Sequence, residues 1–334
     1  MGNLVKNEVM KTLYKKRLHI IIGILLVLTA LFAYGEQYTI SRTQDRVAQQ
    51  LGEENAANWE NLIQQQLTDL ERRLENPYIP EEGRASLRVR AEQLQFYLNE
   101  GINPINPSTA RFMGEFMEQS VFLFLPLLII ILAGDMVSGE MTTGTIKLIL
   151  TRPVPRWKIL LSKLMALSIL QMLVILLMAF ISGLVSMIVF RYGGFNEPVI
   201  TGFRLAGERL DTSFIRTIPR WHYLLMVYAI GYFVAFVIGC LSLMVSVLVR
   251  STSASIGIMM SALIGGSFLS FFIADWEITR YLFTVNLNLI AFISGSFQSI
   301  EGLSMMFSTT VLIVWSLLAL GVAFVAFTQK DMLA

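Results

Sequence analysis

Uncharged apolar runs recur along this chain, separated by short charged joints and by one long polar exception. The runs cover 19–35, 119–134, 164–190, 223–249, 251–274 and 302–329. A hydrocarbon core of about 30 Å takes about 20 apolar helical residues to cross, so each run reads as a spanning helix. The third, fourth and sixth are long enough to tilt or to project beyond it. Between the first two, residues 36–118 hold fourteen acids, eight arginines and no long apolar run. Within them Trp59, Leu62 or Ile63, Leu67, Leu70 and Leu74 recur at helical spacing, and after the turn Pro77-Tyr78-Ile79-Pro80 the set Leu87, Ala91, Leu94 and Leu98 falls on one face. That pattern predicts a water-exposed helical hairpin, with Ile40, Val47 and Leu51 continuing the first span outward as a third helix for it to pack on. Ahead of the first span, Leu4, Val5, Val9 and Leu13 line one side of a helix and lysines the other, as in a helix lying in the membrane interface.

The expected fold class is therefore an all-α polytopic membrane protein with six spans, an N-terminal interfacial helix over 1–18 and an extracytoplasmic insertion at 36–118. A basic loop over 135–163 joins spans two and three, an outer loop covers 191–222, and a short tail covers 330–334. Residues 275–301 leave two readings open. The uncharged stretch 281–300 is either a seventh span or a pair of short helices dipping into the outer leaflet. Asn286, Asn288, Ser294, Ser296 and Gln298 make it polar for a lipid-facing helix, which favours the dip, because polar backbone at membrane depth is tolerated where protein or water covers it.

Composition agrees with this pattern: of 334 residues, 54% are hydrophobic and 15% charged, and the mean hydropathy is +0.61, which excludes an ordinary soluble domain. Charge orients the chain. Lys6, Lys11, Lys15, Lys16 and Arg17 precede the first span, and alternation from there places Lys147, Lys158, Lys163 and Lys330 on the same side, the cytoplasmic one by the positive-inside rule. Both termini are expected there. The five arginines between Arg191 and Arg220 argue mildly the other way. The first run reads as a retained span rather than a cleaved signal, since no small-x-small site follows it at a suitable position.

What is missing narrows the function further. The runs carry no Asp, Glu, Lys or Arg at depth, where ion-coupled carriers commonly keep them. Gln171 is the main polar side chain of the third span and needs no role beyond bonding a neighbouring helix. A single cysteine, Cys240, excludes internal disulfides and Cys-rich metal sites, and His19 and His222 have no metal-ligand partners nearby in sequence. No phosphate loop of the form GxxxxGK[ST] occurs, so no ATPase of that kind resides in this chain. No catalytic residue, metal or nucleic-acid partner is expected.

The segment from Gly134 to Lys163 sets five Lys/Arg against two acids between two apolar runs. It resembles the first cytoplasmic loop of ABC-2 type transporter permeases, with an acid at the end of the second span, then E-x-x-x-G-T, a proline turn, a basic residue and a lysine entering the third span. Those elements stand here as Asp135, Glu140, Gly144, Thr145, Pro153, Arg156 and Lys163. The resemblance implies a permease subunit that binds no cofactor itself, paired with a second copy or a related permease, and driven by two separate ATPase chains that hold ATP and magnesium. The uncharged, Met- and Phe-rich runs suit export of a hydrophobic or amphiphilic cargo such as a peptide antibiotic, a drug or a lipid-linked molecule. The compact single-permease design without eukaryotic sorting signals fits a bacterial plasma membrane. In the loop, a turn at Gly144 leads into a short apolar helix, Thr145–Leu150. There Ile146, Leu148 and Ile149 are expected to enter an ATPase groove while Lys147, Arg152 and Arg156 meet its rim. A bland alternative has Arg156, Lys158 and Lys163 only snorkelling to anionic headgroups. A different class of function, a sensor or scaffold whose outer hairpin binds a ligand or partner, also fits the acidic insertion.

Overall fold

The computed structural model describes residues 1–15, 17–51, 58–79, 81–146, 153–190, 192–206, 209–211, 214–272, 276–295 and 303–329. The chain is an all-α polytopic membrane protein. Five helices among the described residues are long and apolar enough to cross a membrane, and a bent pair makes a sixth such unit. In order, α1 (Gly2–Tyr14) leads into α2 (Arg17–Leu51), the hairpin α3 (Trp59–Leu74) and α4 (Glu81–Glu100), the bent pair α5 (Thr109–Phe122) and α6 (Phe124–Ala133), and the single turn α7 (Ser138–Thr142). Then come α8 (Arg156–Val189), four short strands, α9 (Arg220–Leu248), α10 (Thr252–Phe272), the short α11 (Ala291–Ser294) and α12 (Met305–Gln329).

The hub is α9, which packs against α5, α6, α8, α10 and α12. Of its apolar window 56% is buried inside the protein, against 22% for the first span, so α9 is a core helix and α2 a peripheral one. Small side chains let its neighbours come close. Gln171 of α8 donates a 2.9 Å hydrogen bond to the Ala235 carbonyl, and a Cβ on Gly239 would lie 2.0 Å from its Nε2. The amide N–H of the polar group in the third span thus makes a helix–helix bond.

The run 119–134 is not one straight helix. It breaks at Leu123, and the two halves meet at 60°, with the upper half beginning ten residues earlier, at Thr109. Pro126 explains the break: it has no N–H to give the Phe122 carbonyl, and its ring displaces that carbonyl from a helical position.

At the end remote from α1, α2 runs on as a continuous helix to Leu51, and Val47 buries itself against Leu62 with Ala48 and Ile105 alongside. The hairpin it supports begins with Asn58, whose side chain accepts from the Glu60 N–H at 3.0 Å. It closes its first helix with Arg72 and Arg73 in the last turn, where cations suit the helix dipole. The loop between α8 and α9 is more ordered than its sequence predicts. Strands β1 (Pro198–Thr201) and β4 (Arg216–Pro219) pair antiparallel, as do β2 (Arg204–Ala206) and β3 (Arg209–Asp211). Phe203 seats this ribbon, edge-on to Phe96 at 6.2 Å and tilted against Tyr97 at 6.3 Å.

Residues 277–294 form two 3₁₀ turns and the short α11 rather than one helix of spanning length. Part of their polar surface is bonded within the segment and part to neighbouring elements. Asn286 Nδ2 donates to the carbonyls of Arg280 (2.8 Å) and Leu282 (2.7 Å), and the indole of Trp315 caps the Tyr281 carbonyl at 2.9 Å. Gln93 of α4 reaches the Gly295 carbonyl at 2.7 Å, which ties the insertion to this segment. Ser296 and Gln298 lie outside the described residues.

Candidate functional site

The basic loop folds around a hydroxyl. Ser246 Oγ on α9 accepts from the backbone N–H groups of Val137 (3.1 Å) and Ser138 (2.9 Å) and donates to the Gly134 carbonyl (2.9 Å). It thereby satisfies the open N-terminus of α7, whose own cap, Val137, makes no side-chain bond. On the other side Thr142 Oγ1 donates to the Arg250 carbonyl at the α9–α10 corner, 3.1 Å away. The loop from 134 to 146 is therefore pinned to the body at both ends.

Its two acids turn inward. Glu140 is 2% exposed and accepts from Lys163 Nζ at 2.7 Å and from Lys11 of α1. Lys163 is fully buried, and its three protons all find acceptors: Glu140, Glu8 of α1 at 3.0 Å and the Met136 carbonyl at 3.0 Å. A buried ammonium keeps its charge only with such a set of partners. Asp135 pairs with Lys15 at 2.5 Å and accepts from Thr252 Oγ1 at 3.1 Å. The Asp135 carboxylate leaves no room for a side chain at 139, since a Cβ there would stand 2.1 Å from Oδ1. Glu8, Lys11, Lys15, Asp135, Glu140 and Lys163 thus form a charge-balanced network that binds α1, the loop and α8 into one unit.

The structure redistributes the residues expected to act at the loop. Ile146 is 3% exposed and sits in the protein's own core, so it does not enter a partner's groove as expected. Lys163 points into the ion network and not to headgroups, which removes the snorkelling alternative for it. Arg156 Nη1 donates to the Thr328 carbonyl at 3.3 Å, where the last carbonyls of α12 lack helical partners. Gly144 takes a left-handed φ of +70°, a turn conformation open to glycine at little cost. Thr142, Thr143, Gly144, Thr145 and Pro153 are exposed and make the outermost described surface of the loop. Lys147, Leu148, Ile149 and Arg152, and with them most of the expected helix 145–150, lie outside the described residues.

Sequence reasoning placed Asp135, Glu140 and Lys163 in the loop motif but missed Glu8, Lys11, Lys15, Ser246 and Thr252 as their partners. One signal was available for α1. Glu8, Lys11 and Lys15 are spaced three and four apart and share a helix face, and Glu8 is the only acid in a basic arm.

A family model described as "ABC-2 family transporter protein" matches residues 2–332 of this chain. The chain is also 25% identical over 337 residues to a protein of Bacillus subtilis (strain 168) described as "Uncharacterized protein YhcI", with 99% of each chain covered.

Proposed function

The chain belongs to the ABC-2 transporter family, and from that premise we propose that it is the permease subunit of an exporter driven by separate ATPase chains. The observation that supports this most is the buried network around Lys163. A loop that merely joined two spans would gain little from a network of four buried or half-buried ion pairs to other elements, whereas a loop that receives force needs them. Two ATPase chains, holding ATP and magnesium, press on the exposed tip around Thr142–Thr145 and Pro153. The network then passes that push at once to α8, to α6 and to the N-terminal helix. Glu140 and Lys163 act as positioning residues in this scheme, not as contacts to the ATPase.

A second permease, identical or related, completes the conduit. Ser253, Gly257, Ser261 and Gly265 are exposed at four-residue spacing on α10, and a Cβ at Gly257 or Gly265 would meet nothing within 4 Å. Small residues so spaced let two membrane helices approach closely. The location is a bacterial plasma membrane with both termini cytoplasmic, and the cargo is hydrophobic or amphiphilic, in keeping with the uncharged spans.

Purification of the tagged chain in mild detergent from its native host tests the reading. An ABC ATPase recovered at about one copy per permease is the expected result. Recovery of the permease alone, repeated under crosslinking, overturns it and favours a sensor or scaffold. In the complex, Glu140→Gln should lower transport-linked ATP hydrolysis while leaving the ATPase bound. Unchanged coupling would remove the role given to the network.

A further inference from the structure

At the end remote from α1, a cavity of about 110 Å³ opens among α4, α5, β1, the start of α9 and Ser294. That is room for several water-sized groups, far more than an ion-pair network needs for its own sake. Its polar wall holds Arg111 and Arg220 together with Glu115 and Glu118, and the phenols of Tyr97 and Tyr223 line it as well. Two cations and two anions share one small space.

The cations are incompletely used. Arg111 Nε donates to Glu115 at 2.7 Å, and its Nη2 lies 3.8 Å from Glu36, yet its buried Nη1 has no hydrogen-bond partner. Arg220 is 8% exposed. Its Nη2 stands 3.4 Å from Glu197, and its buried Nε likewise finds no acceptor. Unmade bonds on buried guanidinium groups are costly, and an acidic oxygen group is what a guanidinium fork fits best. Across the cavity, Glu118 accepts from Ser294 Oγ at 2.5 Å and from the Tyr223 hydroxyl at 3.4 Å, which fixes its carboxylate. Burial also pushes the Tyr97 phenol above its ordinary value, so it stays a neutral donor.

We propose that this cavity binds a zwitterionic headgroup, its phosphate or carboxylate on Arg111 and Arg220 and its ammonium on Glu115 and Glu118. An anion alone would meet the two glutamates, and a cation alone the two arginines, so only a group with both charges satisfies both walls. The place suits a group at the membrane surface. Trp221, next to Arg220, is 48% exposed, and tryptophan gathers at headgroup level. The inference rests on the cavity alone and stands or falls apart from the coupling role of the loop.

The test uses the full chain in a neutral maltoside detergent, titrated calorimetrically with phosphoethanolamine, ethanolamine and inorganic phosphate. Phosphoethanolamine should bind about tenfold or more tighter than either half. Glu118→Gln keeps the size and one acceptor oxygen, for the shorter bond from Ser294, and should remove that advantage without changing the helical circular dichroism. Arg220→Gln should do the same from the other wall; if that variant fails to fold, Glu118→Gln decides. In a second arm, native mass spectrometry follows release from nanodiscs of phosphatidylethanolamine or phosphatidylglycerol. Binding of the free probe points to a soluble zwitterion. Retention of phosphatidylethanolamine alone, lost in Glu118→Gln, points to a lipid headgroup. No binding in either arm, equal binding of the half-ligands, or binding indifferent to Glu118→Gln overturns the site and leaves a water-filled cavity.

Discussion

At the end of the molecule that carries α1, three lysines meet three acids around a space of about 10 Å³. At the other end, two arginines meet glutamates around a space of about 110 Å³. The first network is closed at its centre, where Lys163 and Glu140 are buried, while Lys11 and Lys15 form a half-exposed rim. Its central lysine spends every proton on the protein, and its acids come from a helix and a loop far apart in sequence. The second leaves donors unspent and keeps room beside them. Charge in a protein interior can thus serve two ends: a closed network makes separate elements move together, and an open one waits for a ligand. The choice of cation fits each use, since lysine is a compact point charge that three acceptors can enclose, whereas the planar fork of arginine is built to grip an acidic group from outside.

The largest effect should come from removing the centre of the closed network. Lys163→Met fits the space but leaves Glu8 and part of the Glu140 demand buried without their ammonium. Stripping one partner from a buried pair costs about 3–5 kcal/mol. Arg220→Met at the open end should cost less, about 1–3 kcal/mol, because its partner Glu197 is 27% exposed and water can replace the guanidinium. Thermal unfolding in neutral detergent compares the two directly. Equal losses would mean that the two networks are the same kind of structure.

A smaller change separates them by function. Gly139→Ala sets a methyl against Asp135 Oδ1 and forces the carboxylate off Lys15 and Thr252, at about 1–3 kcal/mol for the misfit. Its effect should stay at the closed end: ATPase coupling falls, while calorimetric binding of phosphoethanolamine at the far cavity stays unchanged. Loss of that binding would show that the ends are not independent.

Local pattern made much of this molecule legible. The apolar runs, the outward extension of α2 and the helical hairpin all follow from spacing along a single segment, and Val47 on Leu62 is the contact such spacing predicts. Two local signals were passed over. Pro126 marks the bend between α5 and α6, and the glycines after Tyr192 followed by the β-branched Val199, Ile200 and Thr201 mark the ribbon seated by Phe203. The partners in the networks were a different matter, because they depend on distance in space. Glu140 and Lys163 are 23 residues apart, but Lys11 is 129 from Glu140, and Gln93 is 202 from Gly295. No periodicity spans such intervals. For the same reason Ile146 reads as a projecting apolar residue in sequence and proves to be core in the fold.

The rim of the closed network offers the finest test of the contrast between enclosed and open charge. Lys15 keeps 39% of its side chain exposed while it pairs with Asp135, and Asp135 retains the Thr252 hydroxyl if the lysine is lost. Solvent screens such a pair, so Lys15→Gln should cost about 1 kcal/mol or less. That cost should fade as salt is raised from about 0.1 M to about 1 M, where the screening length drops to about 3 Å. The loss caused by Lys163→Met should hardly respond to salt, because ions cannot enter around a fully buried ammonium. Unfolding midpoints of both variants across the salt range check this. If the Lys163 effect faded in step with that of Lys15, salt would be reaching the core of the network. The loop would then be loosely tethered, and it could not carry a push from its tip into α8.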